Sequence, residues 1–523
     1  MVLLITHLPA LLPQSTIQDE GVYVVVAREM LRGEQLYVNV VDRKPPLLFW
    51  VYEAILRISG TDNWFGLHLV GVLWVFATMA LLYAAGRRVG GVAAGCAAAI
   101  LYAVFQTFWE VTNLAFNGEV LMNLPVMLGV LITFLPSRSR WRPELLLAGA
   151  MPAIGCLLKQ PAGIAAVPLG VYVLLPAYRR ARGLGWRHSM VHAFWLCAGF
   201  IAVMAAAALV LERQGILREA FYWSVLDHDL SYGPFSAVFW ARGSRMTLIF
   251  SACCAPLLLG AWWSLRRPAL WQDHEPERVA LLVFLAVTIV GTAASGRFFD
   301  YYYIQLLPPL CLLAAPWFGQ PRENGHLSRP LRRSWIAVSV CAAVFLVVNL
   351  VEDPPPLGEL PVGRYLRDHS RASDRMFVWG QNTTLYLQGN LRPATRYVAY
   401  FPLTGYIFGS PWNHDPTREN TDGRILPGAW SNLAQDFAAH PPRYILDTEG
   451  IQLAPKYPIG RFPVLAGLVS RDYRLVFTSS QGFLYERRGA LNQRLTQRQG
   501  QELDGSGRSI FVDAPSAPER AGR

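Results

Sequence analysis

The chain has 523 residues, of which 53% are hydrophobic and only 16% are charged. Soluble globular proteins carry about 25% charged residues. The deficit is explained by recurring apolar runs of roughly 17–22 residues, each long enough to cross about 30 Å of hydrocarbon. This composition excludes an ordinary soluble enzyme, a disordered chain and a disulfide-stapled secreted domain, and it predicts a polytopic α-helical membrane protein.

The net charge of +11 does not indicate nucleic-acid binding. The basic residues form short clusters between the apolar runs, which is the pattern of topology signals rather than of a phosphate-binding face. All seven cysteines lie inside apolar runs. We therefore expect neither a disulfide framework nor a metal site built from cysteine.

The apolar runs predict about eleven transmembrane helices. The first run is too short to span a bilayer, so we expect either a start further upstream or an unusual first helix. The predicted helices lie near residues 2–13, 65–85, 91–109, 119–135, 145–160, 161–177, 191–211, 246–265, 279–295, 303–318 and 334–351.

Charge in the connecting loops predicts the orientation. With the N-terminus placed in the cytoplasm, all five inside connections are rich in arginine, as cytoplasmic loops are. This places three segments outside a bacterial inner membrane: the first polar loop (residues 14–63), a second loop (213–245) and the C-terminal region. We expect a membrane domain over 1–351, a soluble extracytoplasmic α/β domain over 352–488 and a disordered tail over 489–523.

Local patterns predict elements within the outer segments. In the first polar loop, apolar spacing from Asp19 to Arg32 and again after Pro45–Pro46 predicts two amphipathic helices at the membrane interface. Ser15 with Gln18 resembles a capping box, and Gly33 is a natural helix stop. In the C-terminal region we expect a helix near 358–370 and strands at 376–379, 444–446, 475–477 and 483–485.

Two acidic positions are candidates for chemistry. Asp19-Glu20 heads the first interfacial helix, where a general base or cation ligand is one interpretation and helix capping is the other. Glu119 stands at the start of the fourth predicted crossing, on the same side. It is either a functional acid or a boundary residue that snorkels to water or favours the helix N-terminus.

Basic and aromatic groups accompany these acids. Arg43-Lys44 suits a lipid phosphate or general attraction to anionic lipid, and Lys159-Gln160 interrupts an apolar stretch where a lysine needs an anion. The aromatic block from Arg297 to Gln305 is either an interfacial belt or a surface for stacking on a sugar ring. Asp227-His228-Asp229 resembles a metal cluster but also suits a solvated loop.

Several of these residues carry a resemblance to glycosyltransferase family 39, whose members have the GT-C fold and include lipid A aminoarabinose transferases and protein O-mannosyltransferases. The similarity covers most of residues 15–310. It rests on Asp19-Glu20-Gly-Val-Tyr23, Ala27-Arg28-Glu29-Met30-Leu31, Gly33, Tyr37, Asp42-Arg-Lys44-Pro-Pro-Leu47 and Trp50, then on Asn117-Gly118-Glu119, Leu158-Lys159-Gln160 and Gly296-Arg297 through Pro309.

The resemblance implies transfer of a sugar from a polyprenyl-phosphate donor to a glycan, lipid or protein acceptor at the outer face, with inversion at the anomeric carbon. Asp19 would deprotonate or orient the acceptor, with Glu20 assisting and Glu119 as the second acid. No nucleotide-binding fold is required and no cofactor is indicated with certainty; two external acids could hold a divalent cation, although no dense ligand cluster demands one. The implied donor-phosphate ligands are Arg43, Lys44, Lys159, Gln160 and Arg297, and the implied sugar or acceptor contacts are Tyr23, Trp50, Tyr302 and Gln305.

Two other functions stay open at this point. A transporter or flippase of polyprenyl-linked sugars would show an internal repeat and broken helices at mid-membrane, whereas the charged groups here cluster at one interface. A non-catalytic envelope assembly protein would use the C-terminal region as a binding module.

Overall fold

A computed structural model describes residues 2–13, 15–17, 19–137, 140–226, 237–321, 326–351, 360–380, 382–406, 421–448 and 457–489. Up to Val351 the chain is a bundle of apolar helices. In chain order its helices are α1 (Val2–Thr6), α2 (Leu8–Leu11), α3 (Glu20–Leu31), α4 (Pro46–Ser59), α5 (Trp64–Phe105), α6 (Gly118–Phe134), α7 (Leu145–Leu158), α8 (Ala166–Leu174), α9 (Pro176–Arg182), α10 (Trp186–Arg213), α11 (Leu217–Phe221), α12 (Ala237–Cys253), α13 (Ala255–Leu265), α14 (Glu275–Ala293), α15 (Leu307–Phe318) and α16 (Arg329–Val351).

The prediction of a multi-pass α-helical membrane protein is confirmed. Among the described residues, α5, α10, α14 and α16 are each long and apolar enough to span a bilayer. Two bent pairs raise the number to six: residues 160–174 with α9, at 54°, and α12 with α13, at 80°. The total of about eleven crossings stays a prediction.

Helix α5 contains two of the predicted runs. Its backbone leaves helical geometry at Gly90 and Gly91, and Gly91 has a φ of +77°, a conformation that glycine adopts without strain. This break lies at the boundary between the predicted runs 65–85 and 91–109. Helix α5 is therefore two helical segments joined at Gly90–Gly91.

The prediction of a polar loop over 213–245 is wrong at its C-terminal end. Helix α12 already begins at Ala237, nine residues before the predicted apolar run. Arg242 and Arg245 lowered the hydropathy of this first part of the helix. The helix nevertheless packs there, because Phe239 is buried and Gly243 lies against the ring of Phe298.

Both predicted helices of the first polar loop are present as α3 and α4. Asp19 is the N-cap residue of α3, yet its side chain makes no capping hydrogen bond. Gly33 follows the helix with a φ of +92°, as expected of a stop. Gln18, the second member of the predicted capping box, lies outside the described residues.

Residues 360–489 form a small α/β unit, here called the sheet unit, and confirm the predicted α/β region. Four strands were predicted, and the missed strand β2 has only two residues. Its elements are α17 (Pro361–His369), β1 (Arg375–Trp379), α18 (Thr384–Gly389), β2 (Arg392–Pro393), α19 (Phe401–Thr404), α20 (Ala429–Ala439), β3 (Tyr444–Asp447), α21 (Pro463–Asp472), β4 (Tyr473–Ser479) and β5 (Gly482–Arg487).

The five strands form one mixed sheet in the order β2-β1-β3-β5-β4. Strand β1 pairs in parallel with β2 and β3, whereas β5 pairs antiparallel with β3 and β4. The buried residues of β1 and β3 make the centre of this sheet fully apolar apart from Asp447. The predicted tail lies outside the described residues beyond position 489.

Glycines set the close approach of α7 and α10. A Cβ atom added to Gly149 would lie 1.9 Å from the backbone oxygen of Leu196, and one added to Gly199 would lie 1.9 Å from the oxygen of Leu146. The two backbones are therefore in direct contact, as small residues allow between membrane helices.

We expect Gly149→Ala to lower the unfolding temperature of the purified protein in detergent, with a cost of about 1–3 kcal/mol from overpacking against a backbone that cannot move alone. Gly170→Ala in α8 is the matched control, because a Cβ atom there meets nothing within 4 Å. That control should be neutral or stabilising, since alanine favours a helix over glycine by roughly 0.5–1 kcal/mol. Equal unfolding temperatures for the two variants would contradict the contact.

Candidate active site

The candidate site lies where several segments meet at one end of the helix bundle. It is built by the N-cap of α3, the turn before α4, the first turn of α6, the C-terminus of α7 and the 3-10 segment Asp300–Leu306. These segments are up to 280 residues apart in sequence. Polar groups are common at helix ends because the first backbone N–H groups and the last backbone C=O groups of a helix have no partners within that helix.

Asp19 is the partly exposed carboxylate of the site, with 34% of its side chain accessible. Its Oδ2 atom accepts hydrogen bonds from the hydroxyls of Tyr23 at 3.3 Å and Tyr301 at 3.4 Å. Lys44 Nζ lies 4.0 Å from the same oxygen. A carboxylate held by long bonds and open to solvent can accept a proton or orient a hydroxyl, and capping does not occupy it.

Glu119 and Lys159 form a buried ion pair beside Asp19. Lys159 Nζ lies 2.9 Å from Glu119 Oε1, with only 6% and 2% of the two side chains exposed. The ammonium also lies over the ring of Tyr302, 5.1 Å from its centroid, a cation–π arrangement. Glu119 Oε2 is buried without a hydrogen-bond partner, so this acid keeps an acceptor atom available.

The local sequence before Glu119 explains this geometry. The Asn117 side chain caps α6 by accepting from the backbone N–H of Val120 at 3.1 Å. Gly118 lets the lysine stem approach, because a Cβ atom there would lie 2.9 Å from Lys159 Cδ. The Asn117-Gly118-Glu119 motif thus places both charges of the pair.

Glu20 lies next to Asp19 in sequence but has a different environment. It is fully buried, and its carboxylate accepts from the backbone N–H groups of Ile17 at 2.7 Å and Phe116 at 2.6 Å. His68 Nε2 is 3.2 Å from Glu20 Oε2. These contacts tie the start of α3 to α5 and to the segment before α6, which favours a role in holding Asp19 in place.

Of the predicted phosphate ligands, Arg43 and Lys44 lie in the turn before α4, and Gln160 contacts that turn. The backbone oxygens of Arg43 and Ser224 both accept from Gln160 Nε2, at 3.3 and 2.9 Å. The backbone N–H of Lys44 donates to Asp42 Oδ1 at 2.9 Å. Burial raises the pKa of Asp42 above its usual value, and the neighbouring Lys44 charge opposes that rise.

The remaining predicted residues are Arg297, Gln305 and Trp50. Arg297 is half-buried and acts electrostatically on Tyr301. Gln305 is buried and donates to the backbone oxygen of Tyr302 at 3.0 Å, so it stabilises the 3-10 segment. Trp50 is half-buried against the core of the first polar loop.

Sequence reasoning left out three residues that the structure adds. The Tyr301 hydroxyl donates a hydrogen bond to Asp19. Asp300 is buried and accepts a hydrogen bond from the hydroxyl of Thr112. Both belong to the Arg297–Gln305 block that the aromatic pattern singled out, so adjacency was an available signal. His68, the partner of Glu20, is a single histidine in an apolar helix and gave none.

The sequence left the use of a divalent cation open, and the described residues form no evident metal site. Within the described ranges, no three histidine, cysteine, aspartate or glutamate side chains are grouped so that they could hold a metal ion. Asp227-His228-Asp229 lies outside those ranges.

The buried pair makes a stability prediction. We expect Lys159→Met to cost about 3–5 kcal/mol of unfolding free energy, because Glu119 is left as an uncompensated buried charge. The double variant Lys159→Met/Glu119→Gln should lose less than the sum of the two single variants, as measured by unfolding in detergent. The exposed pair Arg57–Glu53 on α4 is the control, and Arg57→Met should cost at most about 1 kcal/mol. Additive losses at positions 119 and 159 would refute the coupling.

Comparison with known proteins agrees with this architecture. Residues 43–209 match the model of the family described as dolichyl-phosphate-mannose-protein mannosyltransferase. No curated protein matches the chain by sequence.

Solved structures match over almost the whole chain. The apo structure of ArnT from Cupriavidus metallidurans is 14% identical with a TM-score of 0.64, and the match covers 94% of this chain and 97% of that one. The same protein bound to undecaprenyl phosphate gives 14% identity and a TM-score of 0.62, covering 92% and 96%. The archaeal oligosaccharyltransferase AglB from Archaeoglobus fulgidus, in complex with an inhibitory peptide and a dolichol-phosphate, is 12% identical with a TM-score of 0.50. That match covers 93% of this chain and 74% of that one.

The structural matches show that this membrane protein has the GT-C fold, and the family match over residues 43–209 agrees with its resemblance to glycosyltransferase family 39.

Proposed function

We propose that the protein transfers a sugar from a polyprenyl-phosphate-linked donor to an acceptor at the outer face of a bacterial inner membrane, with inversion. The acceptor class is a glycolipid, a protein or a polymer. The observation that carries this proposal is the convergence of the Asp19 carboxylate with Lys44 and the Glu119–Lys159 pair. The match of residues 43–209 to a sugar-transferase family and the ArnT structure bound to undecaprenyl phosphate support it.

Asp19 is the proposed base. An acceptor hydroxyl near its Oδ2 atom gives its proton to the carboxylate as the acceptor oxygen bonds to the anomeric carbon of the sugar. The bond from that carbon to the carrier phosphate breaks, and the polyprenyl phosphate leaves as an anion. The Tyr23 and Tyr301 hydroxyls hold the carboxylate, and Glu20 holds the start of the helix that carries it.

Cations stabilise the leaving group in this proposal. Among the described residues, the Lys44 ammonium makes a long ion pair with Asp19 and no shorter one, so it can turn to a phosphate without leaving a short bond. Arg43 lies in the same turn and its backbone oxygen accepts from Gln160. Arg297 acts electrostatically on Tyr301, which contacts Asp19, and Lys159 supplies a further positive charge paired with Glu119. Preorganised positive charge is effective here because negative charge develops on the departing phosphate.

The orientation follows from the arginine-rich inside loops. The membrane domain over 1–351 keeps its N-terminus in the cytoplasm. The first polar loop and the C-terminal domain over 352–488 lie outside, beside the acceptor.

Asp19→Asn should abolish sugar transfer while leaving the protein folded. A general base contributes about 10²–10⁴-fold to rate, so turnover should fall by at least the lower figure. The measurement is mass spectrometry of envelope glycolipids and glycoproteins from cells that make equal amounts of wild-type or variant protein, starting from a strain without the protein. Loss of one defined sugar from one acceptor class would identify both substrates.

Asp62→Asn is the matched control for that experiment. Asp62 is an acid of the same loop, 72% exposed and paired with Arg28 away from the site. It should leave the glycan profile unchanged. A wild-type profile in cells with folded Asp19→Asn protein would remove Asp19 as the base and favour a transporter or an assembly protein.

Lys44→Met should weaken binding of undecaprenyl phosphate, because one charge-assisted contact to a phosphate is lost. The loss should be about 10-fold or more, corresponding to roughly 1.5–3 kcal/mol for a hydrogen bond to a charged group. Binding is measured with the purified protein in nanodiscs, with Arg57→Met as the control on the exposed face of α4. Equal affinity for the Lys44 variant and the wild type would place the phosphate elsewhere.

A further inference from the structure

The segment from Asp19 to Lys44 carries the proposed base at one end and the proposed phosphate-binding ammonium at the other. Its middle part packs against the sheet unit. Asp19 precedes α3, and Lys44 follows the turn that leads to α4. Between them, the last turn of α3 and residues 33–43 run along β2 and the residues around it. The separation of Asp19 and Lys44 therefore depends on how this middle part is held.

Arg392 in β2 makes the most extensive polar contact with that middle part. Its Nη2 atom donates to Glu29 Oε2 at 2.6 Å and to Glu34 Oε1 at 2.8 Å, and its Nε donates to Glu29 Oε2 at 3.0 Å. The Glu29 side chain is only 4% exposed. Glu29 is also paired at 2.5 Å with Arg32, the 40% exposed residue that directly follows α3. Arg392 is thus the cation that joins Glu29 to the sheet unit.

Three further contacts lie along the same segment, all with residues 384–401. The backbone N–H of Val41 donates to the oxygen of Arg396 at 2.9 Å, within an isolated parallel bridge between Val41 and Tyr397. The Arg43 guanidinium lies 4.3 Å from the centroid of the Phe401 ring. Gly21, two residues after Asp19, is so close to Thr384 that an added Cβ would lie 2.5 Å from its Oγ1.

The sheet fixes Arg392 itself. Arg392 is the register partner of Arg375 in the parallel pairing of β1 with β2, and Arg375 lies 3.8 Å from Glu34. Two arginines on neighbouring strands therefore face two glutamates of the first polar loop. A strand paired in a sheet is a rigid support, which positions groups better than a loop does.

We propose that Arg392 is a positioning residue for the transfer reaction, holding the Asp19–Lys44 segment against the sheet unit so that acid and ammonium keep their separation. This proposal rests on the proposed function. It gives the sheet unit a part in the geometry of the reaction, beyond any contact with an acceptor. Arg392 touches no reacting atom, so its effect acts through Glu29 and Glu34.

The test compares Arg392→Gln with Arg443→Gln. Arg443 makes equally short ion pairs, with Asp374 at 2.5 Å and Glu486 at 3.0 Å, but these lie inside the sheet unit and away from the loop. We expect Arg392→Gln to lower kcat by about 10- to 100-fold with little change in the donor KM, as small misplacement of reacting groups does. Arg392→Lys should recover part of kcat. Equal effects of Arg392→Gln and Arg443→Gln would indicate only general stability and overturn the proposal.

Hydrogen exchange tests the same proposal without activity. In Arg392→Gln, peptides covering residues 33–43 should exchange faster than in wild type, including the Val41 amide, while those from the core of the sheet should not. Unchanged exchange in 33–43 would overturn the proposal even if kcat falls. If wild-type protein transfers no sugar from any polyprenyl-phosphate donor, the proposed function fails, and exchange alone decides whether Arg392 holds the loop.

A reversible cross-link supplies a rescue. The Cβ position at Gly21 lies 3.5 Å from Thr384 Cβ, within the range for a disulfide. The double variant Gly21→Cys/Thr384→Cys is compared with the triple variant that also carries Arg392→Gln. Oxidation should raise kcat of the triple variant toward that of the oxidised double variant. A reductant should reverse this gain. A formed cross-link that leaves kcat as low as in the reduced protein would show that Arg392 does not act by holding this segment.

Discussion

A charge buried beside hydrocarbon is stable only with a partner, and the Glu119–Lys159 pair meets this constraint in the candidate site. Lysine from the end of α7 can reach Glu119 only because Gly118 leaves room for its stem. The same ammonium lies over Tyr302, which connects the pair to the 3-10 segment. Three parts of the bundle are therefore held in one arrangement by one pair of charges.

The adjacent acids Asp19 and Glu20 have different environments, which is why we propose different roles for them. Asp19 occupies the N-cap position of α3, but its side chain makes no capping hydrogen bond. About a third of that side chain is exposed. Glu20, one residue on, is fully buried and accepts hydrogen bonds from the backbone N–H groups of Ile17 and Phe116. Burial and satisfied hydrogen bonds suit Glu20 to a fixed support, whereas the contacts of Asp19 are long and partly exposed.

The sheet unit is connected to this arrangement through charge and through backbone. Arg392 and Arg375 face Glu29 and Glu34, and Val41 bonds to the chain beside Tyr397. These contacts join the first polar loop to a sheet that forms far away in sequence. The loop is thereby fixed at its middle by the sheet unit and at its two ends by the helix bundle.

Local periodicity in the amino-acid sequence was enough to predict several of the apolar helices, the two helices of the first polar loop and four of the five strands. It also identified Asp19, Glu119, Lys44 and Lys159, since charges at the ends of apolar runs are conspicuous. Only the tertiary structure decided that Glu20 is buried, that Tyr301 contacts Asp19 and that Arg392 contacts Glu29. Those contacts join residues far apart along the chain, and no local pattern records which distant groups a fold brings together.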